Sequence, residues 1–352
     1  MNDFERLAED ALRELLSKVP IIEMEDPKPE LRSTTWGPDF VIHLKAASRP
    51  HTLVCEVKSN GQPRHVKAAI HQLLNCVNHT CSHATPILIA PYLSPDTREL
   101  CREKSICFLD FEGNAWITFG GVFIDHMVAD KPHTEHRELK SLFRPKSAQM
   151  LRIMLREPSR IWRVADLADA AGVSLGHVSN IRKALLDREW AQATNDGVFL
   201  ADPKALLQTW TESYEATAGE RMHFYSPLHG SALENAARTA LGQTKSGQAA
   251  FSAFSAAQWL APYARTSTHY FYANNAGLEK LVQALQLRPV TQGENIIITI
   301  PNEDGVLLDL VEPAPGAICT SPVQTYLDLS IAGERAKEAA EHLAKEMLKW
   351  AR

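Results

Sequence analysis

Three side chains near the start of the chain, Asp39, Glu56 and Lys58, have types and spacing suited to metal-assisted chemistry on a phosphodiester. Sixteen residues separate Asp39, in the pair Pro38-Asp39, from Glu56, in the triplet Glu56-Val57-Lys58. In an extended strand alternate side chains share a face, so Glu56 and Lys58 are expected to point one way and Val57 back into the core. Asp39 precedes the apolar run Phe40-Val41-Ile42. Across a hairpin around Ser48-Arg49-Pro50 it would bring a second carboxylate from the neighbouring strand. Two carboxylates suit Mg²⁺, which binds one or two of them with waters and phosphate oxygens and activates water for in-line attack. Asp39 and Glu56 are then the candidate metal ligands, and Lys58 steadies the attacking water or the charge developing at phosphorus. A Glu-x-Lys pair is equally an ordinary solvated pair on a strand, so the surrounding elements have to decide.

Thr52-Leu53-Val54-Cys55 reads as a buried strand running into Glu56, and Asn60-Gly61-Gln62-Pro63 breaks it before a helical run from Arg64 to Asn75. This order of strand, break and helix resembles the PD-(D/E)xK restriction-endonuclease-like superfamily. The resemblance implies an acidic residue on the first helix. Asp3 to Lys18 has helical periodicity through Phe4, Leu7, Ala8, Ala11 and Leu15. Glu14 is the candidate there, because at 100° per residue it falls within about 20° of Leu7, whereas Glu5 and Glu9 face away. A Gln near the site is also implied, and Gln72 on the following helix would supply it. Asp39, Glu56, Lys58, Glu14 and Gln72 thus form the candidate catalytic set, with Mg²⁺ as cofactor if the site is active. Further strands at Pro86 to Ala90 and Ile106 to Asp110, a helix from Ser94 to Lys104 and a hairpin through Ala115 to Phe119 and Val122 to Ile124 complete an α/β nuclease-like domain over residues 1–130.

At 352 residues the chain is long enough for two or three domains, each with its own core. Hydrophobic content of 45% and charged content of 22% are ordinary globular values. No apolar run approaches the ~20 residues that span a bilayer, and the acidic start Met1-Asn2-Asp3-Phe4-Glu5 is unlike a signal peptide, so a cytoplasmic protein is expected. Six cysteines without a C-x-x-C pair fit reduced thiols. His71, Cys76, His79, Cys81 and His83 crowd together, but their spacing matches no finger or ribbon, and packing is the expected role of Cys76.

From Arg137 to Trp190 eleven Lys and Arg face six Asp and Glu, a net +5 inside a chain of net −5. Positive potential focused on one module is the footprint expected for phosphate contact. Within it Val164 to Ala171 reads as a helix, Gly172-Val173 as a turn, and Ser174 as the cap of a second helix from Leu175 to about Arg188. Val173, Val178, Ile181 and Leu185 have the period to pack the second helix on the first. The opposite face presents Ser174, Gly176, His177, Ser179, Asn180, Arg182 and Lys183. Asn180 can pair bidentately with adenine, while Arg182 and Lys183 suit backbone phosphates. A hairpin from Gln192 to Leu200, turning at Asn195-Asp196-Gly197, would complete a winged helix-turn-helix over residues 137–205.

The region 211–352 is expected to be α+β, with strands at Ile296 to Ile300 and Val306 to Val311 between helical ends. Asp309 lies in the second of these and, if buried, needs a partner. Ala336, Ala339, Ala340 and Leu343 form an apolar stripe on the final helix. Asp328 or Glu334 with Arg335 reads as a local ion pair. Thr325-Tyr326-Leu327-Asp328-Leu329, then Gly333-Glu334-Arg335 and Glu338-Ala339-Ala340-Glu341-His342-Leu343, resemble the C-terminal domain of the AbiEi-type antitoxins of type IV toxin-antitoxin pairs. Leu109-Asp110-Phe111-Glu112-Gly113-Asn114 and Val173 to Arg182 resemble segments of long proteins of that group. The resemblance implies a transcriptional regulator that binds operator DNA through its winged helix, and a separate nucleotidyltransferase toxin as partner. A nuclease-like N-terminal domain departs from the shorter antitoxins. Two functions follow as expectations: a sequence-specific regulator of double-stranded DNA, plausible as a homodimer on symmetric sites, or a Mg²⁺-dependent endonuclease targeted by the winged helix.

Overall fold

The computed structural model describes residues 3–25, 37–79, 84–128, 132–243, 247–263 and 266–351. Cys81 and His83 lie outside the described residues, and among those described no group of three or more His, Cys, Asp or Glu is placed to hold a metal ion. No described helix is long and apolar enough to cross a membrane. The chain divides into two compact units, 1–136 with 187–189, and 137–186 with 190–352.

The first unit opens with α1 (Asp3–Ser17) and the strands β1 (Ile22–Met24), β2 (Phe40–Ala46) and β3 (Arg49–Val57). After α2 (Pro63–His79), β4 (Thr85–Ala90) and α3 (Pro95–Glu103) come β5 (Cys107–Asp110), β6 (Ala115–Phe119) and β7 (Val122–His126). The strands form one sheet in sequence order. β3, β4 and β5 run parallel through the α2 and α3 crossovers, and antiparallel strands flank them. Alternation along β3 sends Leu53, Cys55 and Val57 into the core shared with α1, and Val54 into the core shared with α2 and α3.

On α1 the fully buried residues are Ala8, Leu12 and Leu16, an i, i+4, i+8 row, whereas Leu7 is 52% exposed. Of the expected stripe, Phe4, Ala8, Ala11 and Leu15 do pack on this core, and only Leu7 falls outside it. Glu14, placed by reference to Leu7, lies exposed and pairs with Lys18 at 2.8 Å. On α2 the buried row is Val66, Ala69, Ile70 and Leu73, which leaves Gln72 on the exposed face.

The second unit begins within α4 (His133–Leu142), followed by α5 (Pro145–Arg156), α6 (Val164–Ala171) and α7 (Leu175–Asp187). The hairpin β8 (Ala191–Thr194) and β9 (Gly197–Leu200) comes next, then α8 (Pro203–Glu212). Gly172 ends α6 in the left-handed region at φ 62°, and Ser174 caps α7 by accepting the N–H of His177 at 3.3 Å. A single bridge from Trp162 to Val198 adds a third segment to the hairpin. An alanine Cβ at Gly197 would sit 2.3 Å from the Trp162 carbonyl oxygen, so only glycine allows this approach.

The remaining strands are β10 (Gly219–Tyr225), β11 (Ala249–Phe251), β12 (His269–Ala273), β13 (Arg288–Pro289), β14 (Ile296–Pro301), β15 (Leu310–Val311) and β16 (Cys319–Thr320). They form a mixed sheet in the order β13-β10-β14-β12-β11-β16-β15. Helices α9 (Gly230–Gly242) and α11 (Asn275–Ala284) share its core, and α10 (Ala253–Leu260) joins α12 (Pro322–Ser330) and α13 (Glu334–Met347) in a second cluster. The predicted strand from Val306 to Val311 is instead a 3-10 turn, Asp304–Leu307, leading to the two-residue β15. Among the described residues, helices α5 to α8 share a core with the C-terminal helices. Val323, Leu327 and Leu348 lie in one core with Met150, Leu167, Val178 and Trp210.

Candidate nucleic-acid interface and carboxylate cluster

A two-residue turn, Ala47 and Ser48, both with left-handed φ (47° and 63°), sets the β2–β3 register. One step beyond the pair Phe40↔Cys55 this register puts Asp39 level with Glu56. The Asp39 carboxylate accepts the Val57 N–H at 2.7 Å, and Lys58 donates to Glu56 at 2.6 Å. Glu56 is 7% exposed, and burial raises its pKa. The Lys58 hydrogen bond works against that rise, and the nearby Asp39 charge adds to it. Gly61 closes the end of the strand, bridging to Leu93 where a Cβ would meet the Tyr92 carbonyl at 2.0 Å. Asp39, Glu56 and Lys58 are thus brought together, while Glu14 and Gln72 face solvent. Glu9, half-buried on α1 and bonded to Arg13 at 2.7 Å, is one of two α1 acids, with Glu5, whose charges are felt along β3. Asp39 and Glu56, level in the strand register, are the residues that could hold a hard divalent cation keeping part of its water shell, although each carboxylate is already engaged, by the Val57 N–H and by Lys58.

In the second unit the packing of α7 follows its apolar period. Val178, Ile181 and Leu185 are buried, and Leu175, Gly176, Ser179, Asn180 and Lys183 are exposed along a face roughly 140° wide. Asn180, Arg182 and Lys183 have no side-chain partner among the described residues. The other predicted contact residues are partly committed to the fold. Ser174 is the cap, the Ser179 hydroxyl donates back to the Leu175 carbonyl at 3.0 Å, and half-buried His177 sits 3.2 Å from the Ser147 hydroxyl on α5.

The cations of this segment divide by whether they are bonded within the fold. Arg144, Lys146, Arg163 and Lys183 are exposed. Arg152, Arg156 and Arg188 are committed internally. Arg188 donates to Glu135 at 2.9 Å within the first unit, and Arg156 pairs with Asp309. Arg152, 3% exposed, donates to the Gln324 side chain at 2.9 Å and to the Gly305 carbonyl at 2.8 Å. Gln324 in turn donates to Asp328 at 2.9 Å, and the same Asp328 oxygen accepts from Tyr214 at 2.7 Å and Tyr272 at 3.1 Å. Burial pushes Asp328 up to about 6. The expected local ion pair is therefore corrected: Asp328 is buried in a hydroxyl and amide network, and exposed Glu334 bonds Lys337 at 2.8 Å.

Residues 199–349 match the model of a family described as transcriptional regulator, AbiEi antitoxin, type IV toxin-antitoxin system. The C-terminal part is similar to type IV antitoxin regulators. The match begins at the second strand of the hairpin, takes in α8, the mixed sheet and the Gln324–Asp328 helix, and spans fewer than half of the 352 residues. No curated protein and no solved structure matches the chain. Sequence reasoning missed Arg152, Tyr214, Tyr272 and Gln324, whose partners lie up to 172 positions away. It also missed Leu175, which the helical period alone places beside Ser179 and Lys183.

Proposed function

We propose that the protein is a sequence-specific transcriptional regulator of the type IV antitoxin kind that binds double-stranded DNA through a winged helix, with a nuclease-like N-terminal domain as accessory. The outward face of α7 carries this reading. Asn180 and Lys183 are exposed and Arg182 is half-buried, none has a side-chain partner among the described residues, and the same segment exposes Arg144, Lys146 and Arg163. Asn180 suits an adenine edge, Arg182 and Lys183 suit phosphates, and Ser174, His177 and Ser179 frame the base-reading end of the helix. The family description supports the regulatory role. A separate nucleotidyltransferase toxin is the implied partner, a homodimer suits symmetric operators, and the cytoplasm is the expected compartment. The test is titration of a labelled duplex at stepped salt concentrations. Affinity should fall by about 0.9 log units per log unit of salt for each phosphate contact, and a flat response removes the winged-helix role.

A second reading, a Mg²⁺-dependent endonuclease, is favoured by one observation, the meeting of Asp39, Glu56 and Lys58 at one end of β3. Asp39 and Glu56 would hold the ion, which supplies an activated water when bound. Lys58 would release Glu56 to the ion and turn towards the phosphate. Incubation with supercoiled plasmid and Mg²⁺ or Mn²⁺ tests this. Nicking abolished by Lys58→Ala supports the enzyme, and its absence across metals and sequences rejects it.

A further inference from the structure

Two residues at the start of α7 have types that no contact within the described fold calls for. Leu175 is a large apolar side chain left 57% exposed, in the first turn of a helix whose other leucines, Leu185 and Leu186, are buried. Gly176 is a helical glycine whose added Cβ would meet nothing within 4 Å, although alanine there would favour the helix. Neither intramolecular packing nor a positive φ explains the glycine. Both lie on the face that holds Asn180 and Lys183.

An exposed apolar tip, a position kept free of a side chain, and an amide further along one face match the major-groove edge of A·T pairs. There the thymine C5-methyl offers an apolar contact, and adenine N6 and N7 offer a bidentate one. Leu175 and Asn180 are separated by about 7.5 Å along the helix axis and stand at the two edges, about 140° apart, of the exposed face. That distance covers about two base-pair steps of 3.4 Å. The Ser179 hydroxyl, turned back to the Leu175 carbonyl, leaves Leu175 and Asn180 as the readers.

We infer that Leu175 is a specificity-determining residue that packs on a thymine methyl group, that Gly176 lets the helix backbone approach the groove, and that the recognised duplex carries A·T pairs at two nearby positions. This rests on the DNA-binding reading above. The experiment selects high-affinity duplexes from a random-sequence pool with the full chain, then replaces each thymine singly by deoxyuridine, which removes only the methyl group. Wild-type affinity should fall about fourfold at one thymine, the worth of one buried methyl group, and Leu175→Ala should bind thymine and uracil duplexes alike. Gly176→Ala should lose at least about fivefold in affinity while its thermal midpoint holds or rises.

The inference is overturned if no thymine replacement matters, if Leu175→Ala keeps the discrimination, or if Gly176→Ala binds as well as the wild type. If the pool yields no preferred sequence yet binding remains salt-dependent, the inference fails and the DNA-binding reading stands. If no duplex binds in dilute salt, both fail.

Discussion

Arg152 and Lys183 belong to the same cation-rich segment of the second unit, and they use their charge in opposite ways. Arg152 is enclosed, bonded to Gln324 and the Gly305 carbonyl, and joins α5 to the C-terminal region. Lys183 is exposed on α7 without a partner among the described residues. A charge count treats them alike. Burial separates a cation that organises the protein from one left to meet something else. The net +5 read from the segment therefore overstates the charge left free of partners, because Arg152, Arg156 and Arg188 are already paired or bonded internally.

Substitutions that sharpen this contrast fall in a clear order. Lys58→Ala should abolish any metal-dependent nicking. It leaves Glu56 buried without its cation, which should raise the carboxyl pKa further, measurable by NMR titration. Arg152→Ala strips two buried acceptors of their donor and should cost on the order of 3 kcal/mol in urea unfolding of the second unit, against roughly 0.5 kcal/mol or less for Lys183→Ala. Asp328 gives a pH signature. Its folded-state pKa, about 6, lies above the ordinary aspartate value of about 3.9, so the folded protein holds the extra proton between them. Stability should therefore fall as pH rises from about 4 to about 6, by an amount of order 3 kcal/mol, and Asp328→Asn should flatten that slope. Glu14→Ala, which removes an exposed pair with Lys18, should leave both nicking and stability unchanged.

Features written in adjacent residues were legible in the sequence. The hairpin from Phe40 to Val57 follows from two apolar runs around a short turn, and it suffices to bring Asp39 to Glu56 and Lys58. Helices α6 and α7 and the β8–β9 hairpin were marked by Gly172, Ser174 and Gly197 at positions that need a left-handed end, a cap and a close backbone approach. Helix phase was less secure. Leu7 is apolar yet exposed, the one member of the α1 stripe that does not pack on the core, and taking it as the reference promoted Glu14. Gln72 failed for a related reason, since only the row through Val66, Ile70 and Leu73 reports which side of α2 meets the sheet. The network around Arg152 was not legible, because its members come from α5, Tyr214, β12 and α12, and no local period connects them.

The central claim is that the outward face of α7, rather than the segment's total charge, contacts duplex DNA. Two substitutions each remove one positive charge from that segment: Lys183→Ala from the exposed face, and Arg156→Gln from the pair with Asp309, where glutamine can still donate. The deciding measurement is the log-log salt dependence of DNA affinity for both. The account predicts that the slope falls by about one for Lys183→Ala and holds at the wild-type value for Arg156→Gln. Equal reductions in both, or no change in either, would contradict it.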